Sequence, residues 1–135
     1  MEKKHINVVC GVIRQGEKIL CTQRLRKGLS YVAEHWEFPG GKVNDGEPMH
    51  EALLREIREE MDWKIYVGQL LGTVSYDYPD FSITLTAYDC IAEDYEFKLL
   101  AHLDARWLLP SEFSQLEWTA ADQQLIKTLW CNDCK

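Results

Sequence analysis

The stretch Gly40 to Trp63, GGKVNDGEPMHEALLREIREEMDW, decides how the rest of the chain is read. Its second half carries the strongest helix signal in the sequence. Pro48 suits the first helical position, and Glu47 and Glu51 favour the positive end of the helix dipole. Leu53, Leu54, Ile57 and Met61 form one apolar stripe, which predicts a helix over Pro48 to Met61. Glu56, Glu59 and Glu60 stand at i, i+3 and i+4, so three carboxylates share a face apart from that stripe. Like charges at these spacings cost a bare helix about 0.2–0.5 kcal/mol per pair. Arg55 and Arg58 offset part of this. A divalent cation with oxygen ligands, Mg²⁺ or Mn²⁺, offsets it better and usually brings phosphates with it. The Gly40-Gly41 loop lets backbone groups come close to a ligand, and Lys42 adds a positive charge beside it. An acidic helix by itself reads as a solvated charged face. The Gly-Gly loop at a fixed distance and Arg55 beside Glu56 turn the reading towards metal-assisted attack on a diphosphate.

Outward from this stretch, the pattern is rich in strands. His5 to Arg14 (HINVVCGVIR) is β-branched and nearly continuous, as a central strand would be. A turn at Gln15-Gly16-Glu17 returns the chain as a hairpin strand, Lys18 to Arg24. Leu25 to Glu34 reads as a loop, and Trp36-Glu37-Phe38 as a short extended piece stopped by Pro39-Gly40-Gly41. After the helix, Lys64 to Tyr78 and Phe81 to Ala92 are strands joined at Tyr78-Pro79-Asp80. In the second of them Phe81, Ile83, Leu85 and Ala87 alternate with Ser82, Thr84, Thr86 and Tyr88, the pattern of a half-buried strand. Ala105 to Leu109 is a further short strand. Thr119 to Trp130 is a closing amphipathic helix, with Thr119 as N-cap and Asp122 three residues on, resembling a capping box. The order predicts an α/β fold, a mixed sheet covered by helices on both faces.

The chain has 135 residues, one domain's worth, with no internal repeat or linker, so residues 1–135 are expected to form a single domain. A formal net charge of −7 repels nucleic-acid backbones and anionic membranes, so no nucleic-acid polymer and no membrane is expected as partner. No apolar run approaches the ~20 residues of a membrane span. Five cysteines, an odd number, read as reduced thiols of a cytoplasmic protein. Cys131 and Cys134 form one C-x-x-C at the end of the chain, without a second pair to complete a zinc site.

In register, Gly41, Glu47, Arg55, Glu56, Ile57, Glu59 and Glu60 resemble the Nudix box: Gly, five residues, Glu, seven residues, Arg-Glu, an aliphatic, any residue, Glu-Glu, any residue, Gly, an aliphatic. Asp62 and Trp63 depart from its last two positions. The box's Gly ends the helix in a left-handed conformation, which Asp tolerates better than most residues. The resemblance covers nearly the whole chain and is similar to the MutT-type branch and its cytidine-triphosphate pyrophosphohydrolase relatives. It implies an α/β/α sandwich and a metal-dependent cleavage of nucleoside triphosphates to the monophosphate and pyrophosphate. The substrates it implies are guanine-type, 8-oxo-dGTP included, or cytidine-type. Carried over residue by residue, Glu56, Glu59 and Glu60 are the catalytic, metal-binding carboxylates, and the Gly40 carbonyl completes a Mg²⁺ or Mn²⁺ site. Glu56 also matches the family's proposed general base. Glu47 and Arg55 form an ion pair fixing the loop against the helix. Arg24 and Lys42 meet the phosphates, Phe38 and Tyr78 flank the base, and Asp122 reads its edge. The position where the branch often has one more Glu is Ala101 here; His102 or Asp104 could substitute for it, although both read first as ordinary loop residues. Trp36 and Trp107 read as core or cleft wall, and His5, His35 and His50 as surface residues. The assembly is expected to be a monomer or homodimer. The alternatives are a hydrolase of another nucleoside diphosphate derivative, a catalytically silent nucleotide-binding module, and an acidic partner-binding helix.

Overall fold

The computed structural model describes residues 3–130. β1 (Lys4–Gln15) is the spine of a seven-stranded mixed sheet. It meets β2 (Lys18–Arg24) in an antiparallel hairpin at Arg14↔Ile19 and Gln15↔Lys18, the hairpin that the turn residues predict. β2 then diverges to pair with β3 (Trp36–Glu37) on one side and β7 (His102–Leu108) on the other. The space it leaves beside β1 is taken by β4 (Gly40–Lys42), antiparallel at Val8↔Lys42, Val9↔Gly41 and Cys10↔Gly40. On its other side β1 runs parallel to β6 (Phe81–Ala92) from Lys4↔Phe81 to Arg14↔Ile91. β5 (Ile65–Asp77) closes that edge as an antiparallel partner of β6, with the turn held by Tyr78 N–H donating to the Phe81 carbonyl.

Alternation along β1 sends side chains into two separate cores. Val9 and Ile13, with Leu20 of β2, pack against Leu53, Ile57 and Met61 of α1 (Met49–Met61). Cys10 and Val12, with Ile19 and Cys21, pack against Ala121 and Leu125 of α2 (Ala120–Trp130). One helix therefore covers each face, as the element order predicts.

The structure corrects five details. Pro48 is not the first helical residue but the extended N-cap, at φ −62 and ψ 141. Gly40 and Gly41 do not stop an extended piece; they begin a strand of their own. β6 is less cleanly half-buried than its alternation suggests, because helices cover both faces and Leu85, Thr86 and Ala87 are all buried. β7 begins at His102, three residues before the expected start, so His102 is not in a loop. Thr119 and Asp122 do not form a capping box: the Thr119 hydroxyl donates to Asp122 Oδ1, while the Thr119 N–H goes to the Trp36 carbonyl. Asp62 ends α1 in the left-handed region at φ 47 and ψ 50, as expected, and its N–H donates to the Arg58 carbonyl. Trp63 is buried against Phe97 and Trp107. Cys10, Cys21 and Cys90 are free and buried; Cys131 and Cys134 lie outside the described residues. Among the described residues, no helix is long and apolar enough to cross a membrane.

Candidate active site

Arg55 organises the charged face of α1. Its Nε and Nη2 bind both oxygens of Glu47 at 2.8 and 3.0 Å, and Nη1 reaches Glu56 Oε1 and Glu59 Oε1, each at 3.0 Å. Nη2 also donates to the Lys42 carbonyl at 3.0 Å, which ties the helix to the end of β4. Glu47 and Arg55 are mostly shielded, so the predicted ion pair is present and partly buried. The Arg55 guanidinium and the Asn44 N–H hold the Glu47 carboxyl below the usual carboxylate range.

The glutamates of the helix face divide. Glu59 is exposed, and Glu56 is mostly covered. The Glu56 carboxylate lies across Gly41, where a Cβ would occupy its space, so glycine is required there for contact rather than for conformation. Glu60 turns away from Arg55 towards β7, and its Oε1 is buried without a hydrogen-bond partner. Burial, then the charges of Glu56 and Glu37, push the Glu60 carboxyl up to about 8. Among the described residues, no three His, Cys, Asp or Glu side chains are already gathered closely enough to hold a metal ion. The donor set nonetheless suits a hard divalent cation: an orphaned carboxylate oxygen at Glu60, and Glu56 seated against Gly41.

Beside this face lies a cavity of ≈ 180 Å³. Arg24, Phe38, Gly40, Lys42, Tyr78 and Asp122, all singled out from the sequence, line it together. Ile6, Val8, Ile83 and Leu85 supply apolar wall. Phe38 is nearly fully buried, its ring 4.8 Å from that of Trp118. Tyr78 stacks on Tyr31 and Phe81, and its hydroxyl accepts the Ala121 N–H at 3.0 Å. Asp122, 5% exposed, accepts from the Phe38 N–H at 2.9 Å through Oδ2. The short pairing of Trp36 with residues 117–119 makes this contact, because it brings the start of α2 beside β3. Burial first, then the Glu37 charge, hold the Asp122 carboxyl well above its ordinary range.

Two further residues border the site: Glu37, which the sequence reading passes over, and His102, which it offers as a substitute for the branch's extra Glu and reads first as a loop residue. Glu37 sits between Arg24, at 3.1 Å, and Asp122, and borders both the cavity and a second pocket next to Glu60. Its signal was a carboxylate inside the otherwise apolar Trp36-Glu37-Phe38. His102, with a side chain only 3% exposed, faces Glu60 Oε1 at 3.8 Å through Nε2. Burial and the nearby Arg24 push its pKa down to about 4. Trp36 and Trp107 pack as core and wall, whereas His5 lies at the surface between Ser82 and Thr84.

This arrangement has close relatives. An 8-oxo-dGTP diphosphatase of Proteus vulgaris is 40% identical over 89 residues, 65% of this chain and 78% of that protein. A CTP pyrophosphohydrolase of Escherichia coli (strain K12) is 34% identical over 126 residues, 92% of this chain and 90% of that protein. In fold, the chain is similar to the crystal structure of a MutT protein from Methanosarcina mazei Go1, with a TM-score of 0.85 at 24% identity, over 100% of this chain and 99% of that one. The family model described as NUDIX domain matches residues 8–128, from inside β1 to inside α2. The two packed cores, the glycine pair under Glu56 and the Arg55 clamp all lie within that span, and the chain belongs to the NUDIX domain family.

Proposed function

We propose that this Nudix hydrolase cleaves nucleoside triphosphates to the monophosphate and pyrophosphate, with guanine-type bases (8-oxo-dGTP included) or cytosine-type bases preferred. One observation carries the reading: the candidate base and phosphate contacts line a single cavity, and Gly41 on its edge also seats the Glu56 carboxylate. The names of the relatives, 8-oxo-dGTP diphosphatase and CTP pyrophosphohydrolase, agree with it. Glu56, Glu59 and Glu60, with the Gly40 carbonyl, would hold Mg²⁺ or Mn²⁺. When bound, such a cation neutralises phosphate charge and acidifies a water. Arg55 keeps Glu56 and Glu59 in fixed relation to the loop, and Glu47 in turn orients Arg55. Glu56, which matches the family's proposed general base, would accept the proton of the attacking water. Arg24 and Lys42 supply positive charge for the phosphates. The protein acts as one domain, in the cytoplasm, as a monomer or homodimer, on a small nucleotide rather than a nucleic-acid polymer.

Asp122 carries the base preference. Burial raises its pKa to about 7, so above that pH the carboxylate is ionised and only accepts hydrogen bonds, and each oxygen keeps capacity beyond the Thr119 and Phe38 donors. It therefore selects donor-rich edges: guanine N1–H with its N2 amino group, or the N4 amino group of cytosine. Thymine and uracil present a single N3–H between two carbonyls that repel it. Pyrophosphate release from a panel of normal and oxidised nucleotides, with Mg²⁺, tests both claims. Asp122→Asn preserves volume, and it should lower kcat/KM for the best base by about 10–150-fold and for thymidine triphosphate far less. An equal loss on every base would move the base reading elsewhere. No pyrophosphate from any nucleotide would end the proposal.

A further inference from the structure

The loop from Leu25 to Glu34 is closed on itself at its neck. The Arg24 N–H donates to the His35 carbonyl at 3.0 Å, and the Glu34 N–H to the Leu25 carbonyl at 3.2 Å. Arg26 Nε meets Glu34 Oε1 at 3.1 Å beside them. Glu34 sits at φ 61, a left-handed conformation uncommon for a glutamate, and these bonds hold it there. At the tip, the Val32 and Ala33 N–H groups both donate to the Leu29 carbonyl, at 3.0 and 2.9 Å, which makes one helical turn. Two neighbouring side chains leave that turn for different places. Val32, 8% exposed, lines the base cavity. Tyr31 crosses to the β5–β6 turn, where its ring stacks on Tyr78 at 5.3 Å and 13° and its hydroxyl donates to Asp80 Oδ2 at 2.6 Å.

The β5–β6 turn is a second self-supported unit. The Tyr78 N–H donates to the Phe81 carbonyl at 2.8 Å, and Lys3 Nζ donates to the Tyr78 carbonyl at 2.9 Å. Tyr78 and Phe81 stack on each other at 4.8 Å, and both line the base cavity. The cavity therefore spans a join between two units, each fixed by its own bonds. Among the described residues, Tyr31 to Asp80 is the only hydrogen bond across that join. Tyr31 is half-buried and Asp80 exposed, so the bond lies at the surface, where its loss costs the fold little. The phosphate contacts Arg24 and Lys42 stand on β2 and β4, outside the loop.

We propose that Tyr31 is a positioning residue for the nucleoside base: bonded to Asp80 and stacked on Tyr78, it sets the distance between Val32 on the loop and Tyr78 and Phe81 on the turn, and with it the width of the base cavity. This rests on the base cavity given under Proposed function and adds the contact that holds the cavity to size. The base feels this contact, and the phosphates, held from other elements, do not.

Three variants and two kinds of ligand test it. Tyr31→Phe keeps the stack and loses the hydrogen bond, Asp80→Ala loses the same bond from the other side, and Asp80→Asn keeps an acceptor. GMP, CMP and 8-oxo-dGMP are titrated calorimetrically into each protein with Mg²⁺, and pyrophosphate in parallel. Tyr31→Phe and Asp80→Ala should each weaken the best-bound monophosphate by roughly 3–10-fold. The double variant should lose no more than either single one, since both remove one interaction. Asp80→Asn should keep most of the wild-type affinity. Pyrophosphate affinity and the melting temperature should hold throughout, and KM for the matching triphosphate should rise with little change in kcat. Asp80 is exposed, so Asp80→Ala decides the matter even if Tyr31→Phe fails to fold. Unchanged monophosphate affinity and KM, or an equal loss for pyrophosphate with a lower melting temperature, overturns the role of Tyr31 and leaves the pyrophosphohydrolase reading standing. A wild-type protein that releases pyrophosphate from no nucleotide overturns both.

Discussion

Arg55 is the residue on which the carboxylate face of α1 depends. A single guanidinium meets Glu47 with two nitrogens, bridges Glu56 and Glu59 with the third, and still donates to the Lys42 carbonyl. Glu56 and Glu59 are tolerable side by side because their counter-ion is built in. Lysine keeps the charge but has one compact ammonium group, which cannot span partners on the helix and on the strand together. Arg55→Lys should therefore lower kcat by about 10–100-fold while KM changes less, because the carboxylates lose their alignment and the cavity keeps its walls. Thermal stability should fall as well, since Glu47, largely shielded, would keep only part of its partner. Steady-state kinetics and a melting curve on the same preparation check both. An unchanged kcat would mean that the carboxylates hold their positions without the clamp.

Among the elements, β4 makes the sharpest demand on sequence. Its two glycines are adjacent, yet each is required for a different reason. A Cβ on Gly40 would strike the Val9 carbonyl and the Cys10 Cα, both backbone, so Gly40→Ala must force β4 off β1. Overpacking of this kind costs about 1–3 kcal/mol or more, and the denaturation midpoint should drop accordingly. A Cβ on Gly41 would meet the Glu56 side chain first, and a side chain can swing aside where backbone cannot. Gly41→Ala should fold almost normally and lose turnover, and a Gly41→Ala enzyme with full activity would place Glu56 outside the chemistry. The same strand marks where the sequence stops being readable. The β1–β2 hairpin, α1 and the left-handed Asp62 were legible because their causes are local: a turn, an apolar stripe, a cap. The clustering of Arg24, Phe38, Lys42, Tyr78 and Asp122 in one cavity was foreshadowed only through resemblance to the Nudix pattern. β4 was hidden, since a three-residue strand has no period, and Pro39-Gly40-Gly41 is locally a stop. His102 was singled out only through the resemblance, as a substitute for a missing Glu, and its place in β7 was hidden. Its importance comes from Glu60, brought beside it by packing between α1 and β7, and no spacing along the chain records that. Asp122 looked like a cap for a local reason, while its partner Phe38 lies 84 residues away.

For the whole molecule, the cluster of buried acids sets how stability depends on pH. Glu60 has its pKa raised from 4.5 to about 8, and Asp122 and Glu37 are displaced upward as well, all three first by burial. The folded protein therefore holds protons that the unfolded chain has released, and stability falls as pH rises through this window. His102 acts in the opposite sense: its pKa, lowered from 6.5 to about 4, adds stability as pH rises between those values. Glu47, lowered from 4.5, adds stability above its unfolded value and loses it in acid. Above pH 6.5 the last two groups are in the same state folded and unfolded, and the raised acids alone remain. Cys21 and Cys90, raised from 9.0 to about 12, begin to matter only in more alkaline solution. In EDTA, the urea midpoint should thus fall between pH 6.5 and pH 8. Glu60→Gln removes one of these contributors without changing its volume, so it should flatten that slope and exceed the wild type in stability at pH 8, while abolishing turnover. A divalent cation that binds only the folded form should recover the loss in the wild type, by about 2.7 kcal/mol at 100 times its Kd, and should do much less for Glu60→Gln. A midpoint that rises over this pH range, or a Glu60→Gln protein less stable than wild type at pH 8, would show that the Glu60 carboxylate is already compensated in the folded chain. The metal would then have no buried charge to answer.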